Sequence, residues 1–156
     1  MNNVKCLASI LVLLCGIIGL NAQTPEWEWA VCAGGIGNDY GKAIAVDEFG
    51  NQYIIGYFGG TASFGSFTLN SAGSNDIFAV KLDPSGNLLW VVRAGGIGYD
   101  RGIGIAVDGA GNAYLTGWFY GTADFGAYTL NSSGDRDIFA AKLDPDGNFL
   151  WAIQAG

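Results

Sequence analysis

Short apolar runs alternate with turn residues along most of the chain. In the stretch from 42 to 93, four runs stand out: KAIAVD (42–47), QYIIGYF (52–58), IFAVKLD (77–83) and LLWVVR (88–93). Each is too short for a helix and is bounded by turn residues, which predicts four β-strands. The first pair is joined by Asp47-Glu48-Phe49-Gly50-Asn51 and the second pair by Asp83-Pro84-Ser85-Gly86-Asn87. Pro pre-sets a turn and Gly supplies the positive φ that closes a hairpin, so the pattern predicts two hairpins joined by a long loop over 59–76.

The pattern then repeats. Trp29, Trp90 and Trp151 are 61 residues apart both times, and the segments between them align without a gap. A third copy begins at Trp151 and stops at Gly156. Four antiparallel strands in tandem are the signature of a propeller blade. A β-solenoid is the alternative, but its coils are usually shorter and lack paired hairpin turns. The fold class expected is therefore all-β, a β-propeller built of four-stranded antiparallel blades, with too few blades to close a ring.

The repeat sets the domain boundaries. Residues 1–22 read as a signal peptide: Lys5 precedes an apolar run from Cys6 to Leu20, and small Ala22 stands at the cleavage position. Residues 23–33 are expected to form the outermost strand of a preceding or closing blade, 34–94 the first blade repeat and 95–156 the second. An outermost strand at each end implies a fragment of a longer chain; self-assembly of two-blade protomers into a closed ring is the rival. No membrane insertion is expected after cleavage, because the leader is shorter than a bilayer span.

Composition agrees and removes several functions. There are 26 Gly and only 3 Pro, with aromatics at 13%, which suits many short strands and tight turns. The chain has no His, the commonest general base and transition-metal ligand. Its net charge of −7 argues against nucleic acid and anionic membranes as partners. Of three cysteines only Cys32 survives leader cleavage, so no internal disulfide is expected. Arg93 and Gln154 hold its repeat positions, and it reads as a small half-buried residue on a strand.

The pattern GxDxGxxIAVDxxGNxYxxGxF, then GTxxFG, then DIFxxKLDPxGNxLWxxxAGG, resembles the repeat family described as SBBP, or seven-bladed β-propeller, repeats. The matching stretches are Gly41 to Phe58 with Asp76 to Gly96, and Gly102 to Phe119 with Asp137 to Gly156. The resemblance implies the propeller fold and an exported location.

Candidate motifs have plain structural readings. Asp144-Pro145-Asp146-Gly147-Asn148 has the oxygen spacing of a small calcium loop. A turn in which Asp and Asn bond to nearby backbone explains it together with its counterparts at Asp47, Asp83 and Asp108. No metal or cofactor is expected. Gly34-Gly35 and Gly95-Gly96 precede strands rather than a helix, so they suit a tight crossing between blades instead of a phosphate loop. Asp39, Asp76 and Lys81 recur as Asp100, Asp137 and Lys142. They are read as contacts within each blade that fix strand ends.

The crossing loops and the 59–76 loop should emerge at one end of the blades, and loops on a rigid scaffold carry function. There the copies differ at Asn38/Tyr99, Tyr40/Arg101, Ser74/Asp135 and Asn75/Arg136, the candidate binding residues. Tyr57 and Trp118 could stack on sugars or serve blade packing. The expected function is a secreted or cell-surface, non-catalytic binding or adhesion module for a protein or polysaccharide ligand. The alternative is a scaffold presenting a further domain beyond residue 156.

Overall fold

The computed structural model describes residues 28–156. The leader expected at 1–22, and the first five residues of the strand expected at 23–33, lie outside the described residues. Eleven strands and no helix occur among the described residues. Blade one consists of β2 (Tyr40–Val46), β3 (Gln52–Phe58), β6 (Asp76–Leu82) and β7 (Leu88–Gly96). These pair antiparallel in that order, so Ile54 sits opposite Ile44 on one side and Val80 on the other. Blade two repeats the order with β8 (Arg101–Val107), β9 (Ala113–Phe125), β10 (Tyr128–Leu143) and β11 (Phe149–Ala155). All four predicted strands are present, within about three residues at each end.

The segment 59–76 is not a loop. It contains a hairpin of β4 (Thr61–Phe64) and β5 (Phe67–Asn70). Ala62 and Phe64 are buried while Thr61 and Ser63 face out, a period of two that favours a strand. Gly65, at φ 59°, closes the two-residue turn. In blade two the equivalent hairpin is continuous with β9 and β10, broken only by an irregularity between Asn131 and Arg136.

The glycine pairs stitch each blade to the next. Gly95 and Gly96, at the end of β7, pair with Asp124 and Ala123 of the second hairpin. The strand β1 (Ala33–Gly35) pairs in the same way with β4. Gly95 has φ 133°, and a Cβ on Gly96 would run into the Thr122 carbonyl oxygen. Only glycine meets both demands at this crossing.

The blades stack face to face. Tyr53, Ile55, Ile77, Ala79 and Trp90 of blade one bury themselves against Ala113, Leu115, Phe139, Ala141 and Leu143 of blade two. Polar bonds pin the rim of this interface: the Trp90 indole donates to the Pro145 carbonyl at 2.9 Å, and the Tyr53 hydroxyl to the Gly111 carbonyl at 3.3 Å. Lys81 donates to the Pro145 carbonyl at 3.2 Å. The expected contact within the blade is thus corrected for Lys81, whose long stem reaches across to the neighbouring turn.

One interface earlier the chain repeats part of this contact with its leading residues. The Trp29 indole donates to the Pro84 carbonyl at 2.9 Å and lies over Gly86, as Trp90 lies over Gly147. Residues 28–32 pair with no strand, and Cys32 is exposed ahead of β1 rather than half-buried on a strand. Its blade-one neighbours form an apolar groove of about 610 Å³, lined by Ile54, Phe64, Phe78, Val80, Leu82 and Leu88 among others.

Candidate functional site

The two hairpin turns of each blade lie together at one end, with Gly50 beside Pro84 and Gly111 beside Pro145. The crossing segments meet the inner strands at the opposite end. There the Asp100 amide donates to the Asn75 carbonyl at 2.9 Å, and Asn75 bridges to Tyr99 across the blade boundary. Asn75 is buried in this contact. It therefore positions Tyr99 rather than meeting a ligand.

Four candidate residues come together in one cleft. Tyr99, Arg101, Asp135 and Arg136 line a depression of about 420 Å³ with Trp118 and Tyr120. Arg101, at the start of β8, lies between two rings, 4.5 Å from the Tyr57 centroid and 5.1 Å from that of Trp118. Arg136 covers Trp118 at 4.4 Å. Guanidinium planes stack on aromatic faces and keep their edge donors free for planar acidic groups. Among the described residues neither arginine lies within ion-pair distance of a carboxylate, and the Arg101 Nε is buried without a hydrogen-bond partner. Tyr99 and Tyr120 are about half exposed at the rim and offer hydroxyls. The cleft thus presents two guanidinium groups and two phenol hydroxyls beside the Asp135 carboxylate.

The remaining candidates lie outside it. Asn38 and Ser74 are exposed at the same end of the molecule. Tyr40 stacks on Tyr57 at 4.9 Å beneath the Lys42 ammonium and borders the blade-one groove. Tyr120 escaped the sequence reading because it falls in the segment read as loop. The alternation Trp118, Tyr120 on a continuing strand is the signal that would have found it.

Around the cleft, carboxylates organise the backbone. Asp100 is fully buried and accepts the Gly96 and Tyr120 amides at 2.6 and 3.0 Å. Asp76, also fully buried, accepts the Ala72 amide at 3.1 Å and pairs with Arg93. Burial pushes both carboxyls above the ordinary value of 3.8. Arg93 opposes this at Asp76 but is itself a third exposed, so desolvation wins. Asp39 and Asp137 make equivalent bonds to the Gly35 and Ser133 amides, which fixes strand ends within each blade.

The four Asp–Asn turns share one geometry. In each, the Asp accepts the backbone amides two and four residues on, plus the Asn side chain, as Asp144 does from Asp146 and Asn148. Those donors occupy the oxygens a calcium ion would need. At Asp108 the Asn112 side chain, then its backbone amide, hold the carboxyl down to about 2. Among the described residues no three of His, Cys, Asp and Glu gather closely enough to hold a metal ion.

Comparison with known proteins agrees with this architecture. Residues 89–121, from the outer strand of blade one through the inner half of blade two, match the family described as SBBP, Beta-propeller repeat. The chain is also 28% identical to an uncharacterized WD repeat-containing protein of Acanthamoeba polyphaga mimivirus, over 71% of this chain and 9% of that relative. The chain thus spans about a tenth of the length of this relative. With two gapless copies of the repeat stacked as blades, the chain is a tandem of β-propeller repeats that is similar over residues 89–121 to the SBBP family, an architecture suited to protein interaction.

Proposed function

We propose that this chain is an exported, non-catalytic binding module that holds an acidic segment of a partner protein in the cleft on blade two, beside its boundary with blade one. The single observation behind this reading is the pair of arginines stacked on Trp118, one with a buried and unbonded Nε, in a chain that is otherwise acidic. An arginine locked between Tyr57 and Trp118 loses little further freedom on binding, so its donors are pre-organised. Tyr99 and Tyr120 supply rigid amphipathic rims of the kind enriched at binding surfaces. Export rests on the leader sequence, and the absence of histidine supports binding without chemistry.

The test is binding of a glutamate-rich peptide and of polygalacturonate, followed by calorimetry, with wild type, Arg101→Ala and Tyr99→Ala. The expected result is peptide binding that weakens at least about tenfold in Arg101→Ala, the scale of a lost charge-assisted hydrogen bond. Binding of the polysaccharide alone would move the ligand to acidic sugars. Equal binding by wild type and both variants would remove the cleft as the site.

A further inference from the structure

Besides Lys5 the chain has six basic side chains, and three of them are engaged. Lys81 donates to the Pro145 carbonyl, Arg93 pairs with Asp76, and Lys142 lies 4.0 Å from Asp108. Among the described residues Lys42, Arg101 and Arg136 lie within ion-pair distance of no carboxylate. Two of these three stand over one ring. The Tyr57 centroid is 4.5 Å from the Arg101 guanidinium and 5.3 Å from the Lys42 ammonium. Lys42 is also 5.2 Å from the ring of Tyr40, which stacks on Tyr57. Arg101 belongs to blade two, and Lys42 and Tyr57 to blade one, so the two cations straddle the boundary within the chain.

Nothing in the repeat requires this pair. The charges shared by both copies, Asp39 with Asp100 and Asp76 with Asp137, hold backbone amides. Lys42 and Arg101 instead stand where the other copy has Ile103 and Tyr40. Two like charges over one ring repel, and the aromatic face offsets that only in part. An anion beside them turns the repulsion into two attractions. The place is also open. Lys42 is exposed with blade two already on one side. Its counterpart Ile103 stays 43% exposed with blade one packed ahead of it, so a preceding blade leaves this position in solvent.

We infer that Lys42 and Arg101 form a two-cation subsite across the blade boundary that reads an acid-x-acid sequence in the partner segment, which rests on the reading of the cleft as a holder of acidic segments. Both cations lie within 5.3 Å of one centroid. Alternate residues of an extended segment match that span, because their side chains point the same way and stand about 6.5 to 7 Å apart. Adjacent residues point to opposite faces, so two consecutive acids present only one carboxylate to the subsite. The Arg101 guanidinium takes one carboxylate in its planar fork, and the Lys42 ammonium takes the other as a point charge. Arg101 thus belongs to both cleft and subsite, while Lys42 belongs to the subsite alone.

The experiment is calorimetry on the full chain with two blocked peptides of identical composition, Gly-Ser-Glu-Ser-Glu-Ser-Gly and Gly-Ser-Glu-Glu-Ser-Ser-Gly. Wild type is expected to bind the alternating peptide about threefold more tightly, the scale of one solvent-exposed ion pair. Lys42→Gln should bind both peptides equally, Lys42→Arg should keep the preference, and Arg101→Ala should weaken both peptides. Lys142→Gln removes the same charge at the opposite end of the blade and should keep the preference. Circular dichroism and melting check that each variant folds. No preference in wild type, a preference that survives Lys42→Gln, or one lost in Lys142→Gln would overturn the subsite. If Arg101→Ala still weakens both peptides in that case, the cleft stands without it. Binding of neither peptide, or binding unchanged in Arg101→Ala, would remove cleft and subsite together.

Discussion

Ile77 and Ile138 are the same residue at the same place in two copies of one repeat, yet Ile77 is 1% exposed and Ile138 60%. Tyr53 and Tyr114 differ in the same sense, at 0% and 38%. Their strands, turns and neighbours in sequence are nearly identical. What differs is whether another blade lies on top. In this protein the burial of a strand residue is set by its neighbour blade, not by its own sheet. A single blade supplies geometry, and stacking supplies most of the core.

Repeat-equivalent pairs turn that contrast into measurements. The largest difference is expected between Trp90→Ala and Trp29→Ala. Both indoles donate to a proline carbonyl at 2.9 Å, but Trp90 sits in a paired strand between two blades and Trp29 in an unpaired segment. Urea unfolding should lose about 3 to 5 kcal/mol for Trp90→Ala, the range for deleting a buried large aromatic, and clearly less for Trp29→Ala. Equal losses would mean that the leading segment is as well packed as a complete blade.

Next come the aspartates of the crossings. Asp100→Ala strips acceptors from two amides at a buried site, so it should cost about 1 to 3 kcal/mol. Asp39 serves one amide in a more open setting, and Asp39→Ala should cost less in the same unfolding assay. Reversal of that order would show that the blade boundary does not raise the importance of its crossing.

A smaller effect should appear in the pH dependence of the melting temperature. Asp76 and Asp100 have carboxyls raised by burial, so folding takes up protons between 3.8 and their raised values. Their stabilising contribution is fully present below the ordinary value and is lost as pH rises through the raised one. The turn carboxylates behave oppositely: Asp83, Asp108 and Asp144 are held low first by their Asn side chains. Their contribution is present above 3.8 and is lost as pH falls toward about 2. The melting temperature should therefore rise on acidification from neutral toward 3.8 and fall below it. Asp100→Asn should flatten the upper limb and leave the lower one unchanged.

Much of the fold was legible because the repeat removes ambiguity. Trp29, Trp90 and Trp151 set the period, and Asp-x-x-Gly-Asn marks the two turns that join the four blade strands in pairs, so strand order followed from turn chemistry. The hairpin within 59–76 was not legible as strand. Its alternation spans only four residues on each side of Gly65, and the small Thr, Ser and Ala around it read as loop composition. That one omission hid Tyr120, which belongs to the continuation of β9. Arg101, Tyr99, Asp135 and Arg136 were found because the copies differ there. Their convergence was not legible, since it depends on β9 and β10 running on through the segment read as loop, which sets Arg136 opposite Tyr120 while Arg101 lies opposite Trp118. The reach of Lys81 to Pro145 escaped because its partners belong to different repeats.

The central claim is that blade-on-blade stacking, rather than the blade itself, creates the core. Its most direct test is equilibrium unfolding of Ile77→Ala and Ile138→Ala at a protein concentration where each is monomeric. Stacking predicts a loss of about 2 to 5 kcal/mol for Ile77→Ala and a change within about 0.5 kcal/mol for Ile138→Ala. Equal losses in the two variants would contradict it and would place the stabilisation inside each blade.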